Sequence, residues 1–245
     1  MVEKLVILKQ WVEESDNIVF FGGAGVSTES DIPDFRSPDG LYSQGHQYPY
    51  APEVMLSATF FFAHPKYFFH YYFDKLVYAD AKPNAAHYAL ARLEKSGKLK
   101  ALITQNVDGL HQMAGSVNVL ELHGSAQRNY CLNCGAKYNL TFMLERSPSV
   151  PHCLDCGSIV RPDVVLYGED LPQNVWKAAE KAVSKADVLI VGGTSLLVYP
   201  AAGLVNIFRG RHLVLLNKSP TSYDKKADLI IREPIGQTLA GCFAD

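Results

Sequence analysis

The sequence predicts an α/β protein, a Rossmann-like doubly wound parallel sheet interrupted by a helical insertion and a cysteine-rich module. Three observations predict it. Short apolar, β-favouring runs alternate with amphipathic helical stretches. The first such run, Ile18-Val19-Phe20-Phe21, leads into Gly22, Gly23 and Gly25. Polar loops follow the C-terminal ends of the runs, at 22–36, 105–111, 123–124, 192–195 and 217, where open α/β sheets bind ligands.

Residues 3–15 read as an amphipathic helix, with Leu5, Val6, Leu8, Trp11 and Val12 near helical spacing. The strand 18–21 follows, and glycines after it would let the chain turn and a phosphate approach. Ser27 and Thr28 are candidate caps of a short helix whose N-terminus would face a pyrophosphate. Pro33 cuts that helix short. The third fingerprint glycine is replaced by Thr28, and no acidic ribose holder lies at the usual distance, which argues against a dehydrogenase. Residues 37–83 carry five prolines and many aromatics, and read as a helical insertion with helices starting at Pro52 and Pro65. Mobility over 37–57 would suit a cofactor lid. Most of the aromatics read as core.

Asn84 caps a helix over 84–96 that stops at Gly97. Strands are expected at 101–104, 117–122, 187–191, 213–216 and 229–231. Val164–Leu166 reads as a further extended run. Helices are expected from Pro172 to Lys185 and over 235–243. The sheet domain thus comprises 1–36, 84–124 and 162–245. The insertion is 37–83 and the cysteine module 125–161.

Four of the five cysteines form two C-x-x-C pairs, Cys131/Cys134 and Cys153/Cys156, with 18 residues between the pairs. That is zinc-ribbon spacing, and four thiolates leave no open position, so a bound Zn²⁺ would be structural. Thioredoxin-like redox chemistry explains one such pair, not two. Cys242 reads as a buried apolar residue.

The chain of 245 residues is 48% hydrophobic and 20% charged, with net charge −2. No Lys/Arg block and no apolar run of ~20 residues appears, so neither nucleic acid nor membrane is an expected partner. No signal-peptide pattern is seen, and a cytoplasmic monomer is expected. His123, at a strand end and before glycine, can take a proton near neutral pH. Asn106 and Asp108, two apart in one loop, could hold ribose hydroxyls and a carboxamide.

The motifs G-A-G-V-S (23–27), I-P-D-F-R (32–36), T-Q-N-V-D-G-L-H (104–111), L-H-G (122–124), the cysteine quartet, R-P-D-V-V-L-Y-G-E (161–169), G-T-S-L (193–196) and L-N (216–217) stand in the order found in sirtuins. Over about 18–231 the chain resembles that family, the NAD-dependent protein lysine deacylases. The resemblance implies NAD as co-substrate, acyl-lysine proteins as partners, and nicotinamide and O-acetyl-ADP-ribose as products. It implies Gly23, Ala24, Thr28, Phe35 and Arg36 in the NAD site, with Phe35 also shielding the reacting ribose carbon. Gln105 and Asn106 would contact ribose, and Val107 and Asp108 nicotinamide. Thr194, Ser195 and Asn217, with Asp228, would bind phosphate and adenosine. Val165 and Tyr167 would flank the acyl-lysine tunnel, and the backbone at Gly168 and Glu169 would pair with the peptide. His123 would be the base, with Asn106 and Asp108 also catalytic.

Asp31 stands where many members have glycine, and Tyr167 where phenylalanine is common. Members preferring acidic acyl groups carry Tyr-x-x-Arg, and the matching stretch here reads as Tyr72-Phe73-Asp74-Lys75, which predicts deacetylation over desuccinylation. Two alternatives compete: a protein ADP-ribosyltransferase using the same NAD site, and a zinc-ribbon binding module with a vestigial nucleotide fold.

Overall fold

The computed structural model describes residues 2–38, 40–43 and 48–243. Asp39 and residues 44–47, inside the stretch expected to act as a lid, lie outside the described residues.

Six parallel strands form the main sheet in the order β3-β2-β1-β7-β8-β9. They are β1 (Ile18–Gly22), β2 (Leu99–Thr104), β3 (Val119–Glu121), β7 (Val188–Gly192), β8 (His212–Leu216) and β9 (Leu229–Ile231). Alternation along β1 splits the core. Ile18 and Phe20 pack with Leu8, Leu90 and Leu239, from helices α1 (Val2–Glu13), α5 (Ala85–Lys95) and α9 (Ile235–Phe243). Val19 and Phe21 pack on the opposite face with Ala179 and Val183 of α8 (Gln173–Lys185) and with Leu204. Both faces are covered, as a sheet of near-continuous apolar strands requires. The strand order reverses between β1 and β7, and their C-terminal ends frame the crevice.

Helix α5 starts as expected. The Asn84 side chain accepts from Ala86 N–H at 2.9 Å, and His87 Nδ1 accepts from Asn84 N–H at 3.1 Å. The insertion forms α2 (Pro52–Met55), α3 (Ala58–Ala63) and α4 (Pro65–Lys75). Helix α3 has no proline at its start. Ser57 caps it instead, accepting from Phe60 N–H at 3.1 Å.

A second sheet, antiparallel, has the order β5-β4-β6, with β4 (Gly124–Cys131), β5 (Lys137–Asn139) and β6 (Val160–Val164). The extended run near Val164 therefore belongs to this sheet and not to the parallel one. A third core joins this module to the insertion: Phe61, Phe68, Phe69 and Tyr72 pack in one cluster with Cys131, Cys153 and Val160. Two segments remote in sequence share one interior. Among the described residues no helix is long and apolar enough to cross a membrane.

Candidate functional site

The strand ends place the predicted polar residues along one edge. Gln105 follows β2 directly, and its N–H donates to Gly22 C=O at 3.0 Å. Its side-chain amide donates to Thr194 Oγ1 at 3.0 Å. Asn217, just past β8, clamps Thr194 from the other side: Oδ1 accepts Thr194 N–H at 3.0 Å and Nδ2 donates to Thr194 C=O at 2.7 Å. Ser195 follows, half-buried, and Leu196 then takes a left-handed conformation with φ 56°. Such a conformation is uncommon for leucine and marks a tightly constrained loop.

Ser27 is the hub that the sequence reading missed. It caps no helix. Ala24 and Thr28 begin single 3₁₀ turns, 24–26 and 28–30, and the Ser27 side chain caps neither. Its hydroxyl donates to Asp108 Oδ2 at 2.7 Å and accepts from Asn106 Nδ2 at 3.0 Å. Asn106 and Asp108 do face the same side, held there by Ser27. Asp108 Oδ1 accepts Leu110 N–H at 2.9 Å, which fixes the carboxylate plane. The neighbouring Val107 C=O accepts Ala126 N–H at 2.9 Å, tying this loop to the second sheet.

The glycines also serve a packing role. A Cβ on Gly23 would meet Thr194 Cβ at 2.8 Å, and one on Gly25 would meet Gly193 Cα at 2.7 Å. Gly25 N–H donates to Gly193 C=O at 2.8 Å. The bare backbones let the β1 and β7 loops pack against each other.

His123 lies between β3 and β4. Gly124, with φ 75°, lets β4 start against β6; a Cβ there would lie 2.0 Å from Asp163 C=O. His123 Nδ1 is 3.0 Å from Gln105 C=O. A carbonyl only accepts, so Nδ1 carries the proton and Nε2 holds the free lone pair. Burial pushes this imidazole below its usual pKa, partly offset by the Gln105 carbonyl, so it is neutral at pH 7. Behind Asp108 lie His87 and His111, both buried, with ring centroids 4.7 Å apart. Burial pushes them down to about 4 and about 3.

The loop 165–169 is held from beneath. Arg161, buried, forks onto Glu169 with distances of 2.8 and 2.9 Å, and donates to Val164 C=O at 3.0 Å. Glu169 Oε2 also accepts Leu166 N–H at 2.9 Å. Glu169 N–H itself donates to Leu166 C=O at 3.0 Å, so this residue supports the loop and its N–H is not open to a peptide. Val165 N–H donates to His123 C=O at 3.0 Å. Tyr167 and Gly168 are exposed. Phe35 and Arg36 stand on a loop that Asp34 organises, its Oδ1 accepting from the N–H groups of Arg36 and Ser37 at 2.9 and 2.7 Å.

One expected placement is corrected. Asp228 is not at this edge: its Oδ2 accepts Leu213 N–H at 2.8 Å, at the start of β8 and so at the opposite end of the sheet. The segment after β9 is the part that reaches the crevice edge, where Gly236 N–H at the start of α9 donates to Glu29 Oε1 at 2.7 Å. Tyr72 and Lys75 do not form a joint acyl-recognition pair. Tyr72 is fully buried beside Phe68 and Phe69, its hydroxyl without a partner among the described residues. Lys75 Nζ lies 3.1 Å from Asp74.

The four cysteines converge, with ligand atoms all within 4.8 Å of one another. Sulfur separations of 3.4 Å (Cys131–Cys156) and 3.6 Å (Cys134–Cys153) approach the ~3.8 Å edge of a tetrahedron with Zn–S near 2.3 Å. The donor set fits one structural zinc. The set round the crevice suits a dinucleotide: Arg36 as a cation, hydroxyls at Thr194 and Ser195 for phosphate, and carboxylate and amides for ribose and carboxamide.

The Sir2 family model matches residues 23–200. An NAD-dependent protein deacetylase of Clostridium acetobutylicum is 57% identical over 239 residues, covering 98% of both chains. One from Clostridium perfringens is 58% identical over 240 residues, again covering 98% of each. Among solved structures, a Sir2 complex with a p53 peptide and NAD⁺ matches with TM-score 0.83 at 40% identity, covering 96% of this chain and 95% of that one. With motifs, topology and full-length likeness in agreement, the chain belongs to the Sir2 family.

Proposed function

We propose that the chain is an NAD-dependent protein lysine deacetylase that transfers the acetyl group of an acetyl-lysine side chain to ADP-ribose and releases nicotinamide. The observation that carries this reading is His123 with its proton fixed on Nδ1, beside the Asn106–Ser27–Asp108 cluster. Bound NAD supplies an electrophilic ribose carbon with nicotinamide as its leaving group. Asp108 orients the carboxamide, its geometry set by Ser27 and Leu110 N–H. Asn106 and Gln105 hold the ribose. His123 Nε2 takes the proton of a ribose hydroxyl, and Gln105 C=O stabilises the imidazolium that forms. Thr194, Ser195 and Asn217 hold the phosphate–adenosine half, with Gly23, Ala24 and Thr28 at the crevice floor. Phe35 and Arg36 cover it, and the apolar ring excludes water. Val165, Tyr167 and Gly168 receive the acyl-lysine peptide. The zinc holds its module together and takes no part in the chemistry, since four protein thiolates fill its tetrahedron. The enzyme acts as a cytoplasmic monomer, where thiols stay reduced.

The test is product analysis with an acetyl-lysine peptide, with and without NAD, for the wild type and His123→Ala. Deacetylated peptide, nicotinamide and O-acetyl-ADP-ribose should appear in equal amounts only with NAD, and vanish in the variant. ADP-ribose attached to protein with the acetyl group untouched would establish a protein ADP-ribosyltransferase instead. No NAD consumption would leave a binding module.

A further inference from the structure

The hydroxyls of Tyr42 and Tyr167 meet at 3.1 Å, joining the cofactor loop to the acyl-peptide loop. Tyr167 is the fixed end. Its N–H donates to Leu56 C=O and its C=O accepts Ala58 N–H, both at 3.0 Å. The Arg161–Glu169 fork holds the loop around it. Tyr42 is the organising end. Its N–H donates to Phe35 C=O at 2.9 Å. Its ring meets Phe35 edge-on with centroids 5.8 Å apart, and the Arg36 guanidinium stands 5.1 Å from the ring centroid. Phe35 and Arg36 thus lean on one ring, and that ring is tied to Tyr167. Burial, then the bond to Tyr167, pushes the Tyr42 phenol well above its usual range, so it stays neutral in ordinary buffers.

We infer that Tyr42 and Tyr167 are positioning residues whose contact couples NAD binding to acyl-peptide binding. The inference rests on the proposed assignment of the two loops. A peptide seated against Tyr167 steadies its hydroxyl, which steadies Tyr42 and with it Phe35 and Arg36. By reciprocity, a dinucleotide that orders Phe35 and Arg36 favours the peptide-ready Tyr167 by the same factor.

The test is a double-mutant cycle of Tyr42→Phe, Tyr167→Phe and the double variant, read by calorimetric binding of ADP-ribose with and without an acetyl-lysine peptide. Phenylalanine keeps the ring packing and removes only the hydroxyl, and melting temperatures check that the variants stay folded. Loss of one neutral hydrogen bond corresponds to about a fivefold change. Each single variant should weaken ADP-ribose binding about fivefold in the presence of peptide, and the double variant no further. The peptide's enhancement of ADP-ribose affinity should fall by about the same factor. Multiplying effects in the double variant, or unchanged affinity in Tyr167→Phe, would overturn the coupling. A wild type that binds ADP-ribose but deacetylates nothing would instead overturn the proposed reaction and leave the coupling to be judged by the cycle.

Discussion

Replacing Ser27 by alanine removes one oxygen and two hydrogen bonds at the centre of the crevice. The Ser27 residue is 1% exposed, so water does not readily substitute for the lost hydroxyl. The bond to the Asp108 carboxylate is charge-assisted and contributes about 1.5–3 kcal/mol, and the bond from Asn106 about 1 kcal/mol. Asp108 and Asn106 are themselves half-buried and can regain part of this from solvent. The expected total is therefore about 2–3 kcal/mol, divided between folding and the positioning of the two side chains. In a domain of this size each 1 kcal/mol of folding free energy lowers Tm by roughly 2–4 °C. If half the loss falls on positioning, kcat/KM for NAD drops about tenfold. Urea unfolding and initial rates at varied NAD measure the two parts. Ser30→Ala is the control: Ser30 Oγ accepts from Asn84 Nδ2 at 3.0 Å and touches neither Asn106 nor Asp108, so stability should fall while kcat/KM holds. A Ser27→Ala variant that keeps both its urea midpoint and its kcat/KM within twofold would refute this role for Ser27.

Acid should destabilise the protein early. His87, His111 and His123 all sit below the usual value of 6.5 through burial, so the unfolded chain takes up protons first as pH falls. Stability present above pH 6.5 is lost below it, by up to about 2 kcal/mol each for His87 and His111 at pH 5, seen as a falling urea midpoint. A midpoint constant from pH 7 to 5 would contradict this. Activity that requires neutral His123 should persist at pH 6.5 and fall only at lower pH, in a kcat/KM profile. Stripping zinc with a strong chelator should melt helices α2–α4 along with the cysteine module, because they share one core. Near-UV circular dichroism of the aromatic cluster should collapse, and a spectrum that survives would refute the shared interior. An acetyl-lysine peptide should be turned over at least about tenfold faster than its succinyl counterpart, since Tyr72 is buried and Lys75 lies against Asp74, so neither offers the Tyr-x-x-Arg grip on a second carboxylate. Faster turnover of the succinyl peptide would refute that.

Strands β8 and β9, the Asn84 cap and the cysteine quartet were legible because each is a local signal: an apolar run, a cap with its helix, a spacing. The polar loops were legible because strand ends on a parallel sheet gather on one edge. What escaped depends on contacts remote in sequence. Ser27 looks like a cap until Asn106 and Asp108, about 80 residues on, are brought against it. Asp228 sits next to a strand in sequence, yet at that strand's N-terminal end, and only the pairing of β9 with β8 reveals which end that is. Tyr72 and Lys75 have recognition spacing, but the Tyr72 side chain lies in the core that the insertion shares with Cys131, Cys153 and Val160. Asp31 explains itself in the structure: it is left-handed, with φ 61°, the conformation glycine supplies without strain.

The contact between the β1 and β7 loops sets a rule for how this chain can vary. A methyl added at Gly25 meets the backbone of Gly193, and one added at Gly193 would lie 2.4 Å from Val26 N. A clash with a side chain can be relieved by trimming that side chain; a clash with backbone cannot. No second substitution elsewhere rescues either position, because neither obstacle is encoded by a side chain. In a saturation library both sites should accept glycine alone, and should show no compensating partner however many double variants are sampled. The switch point of the sheet is thus a place where sequence drift stops, even at glycines that perform no chemistry themselves.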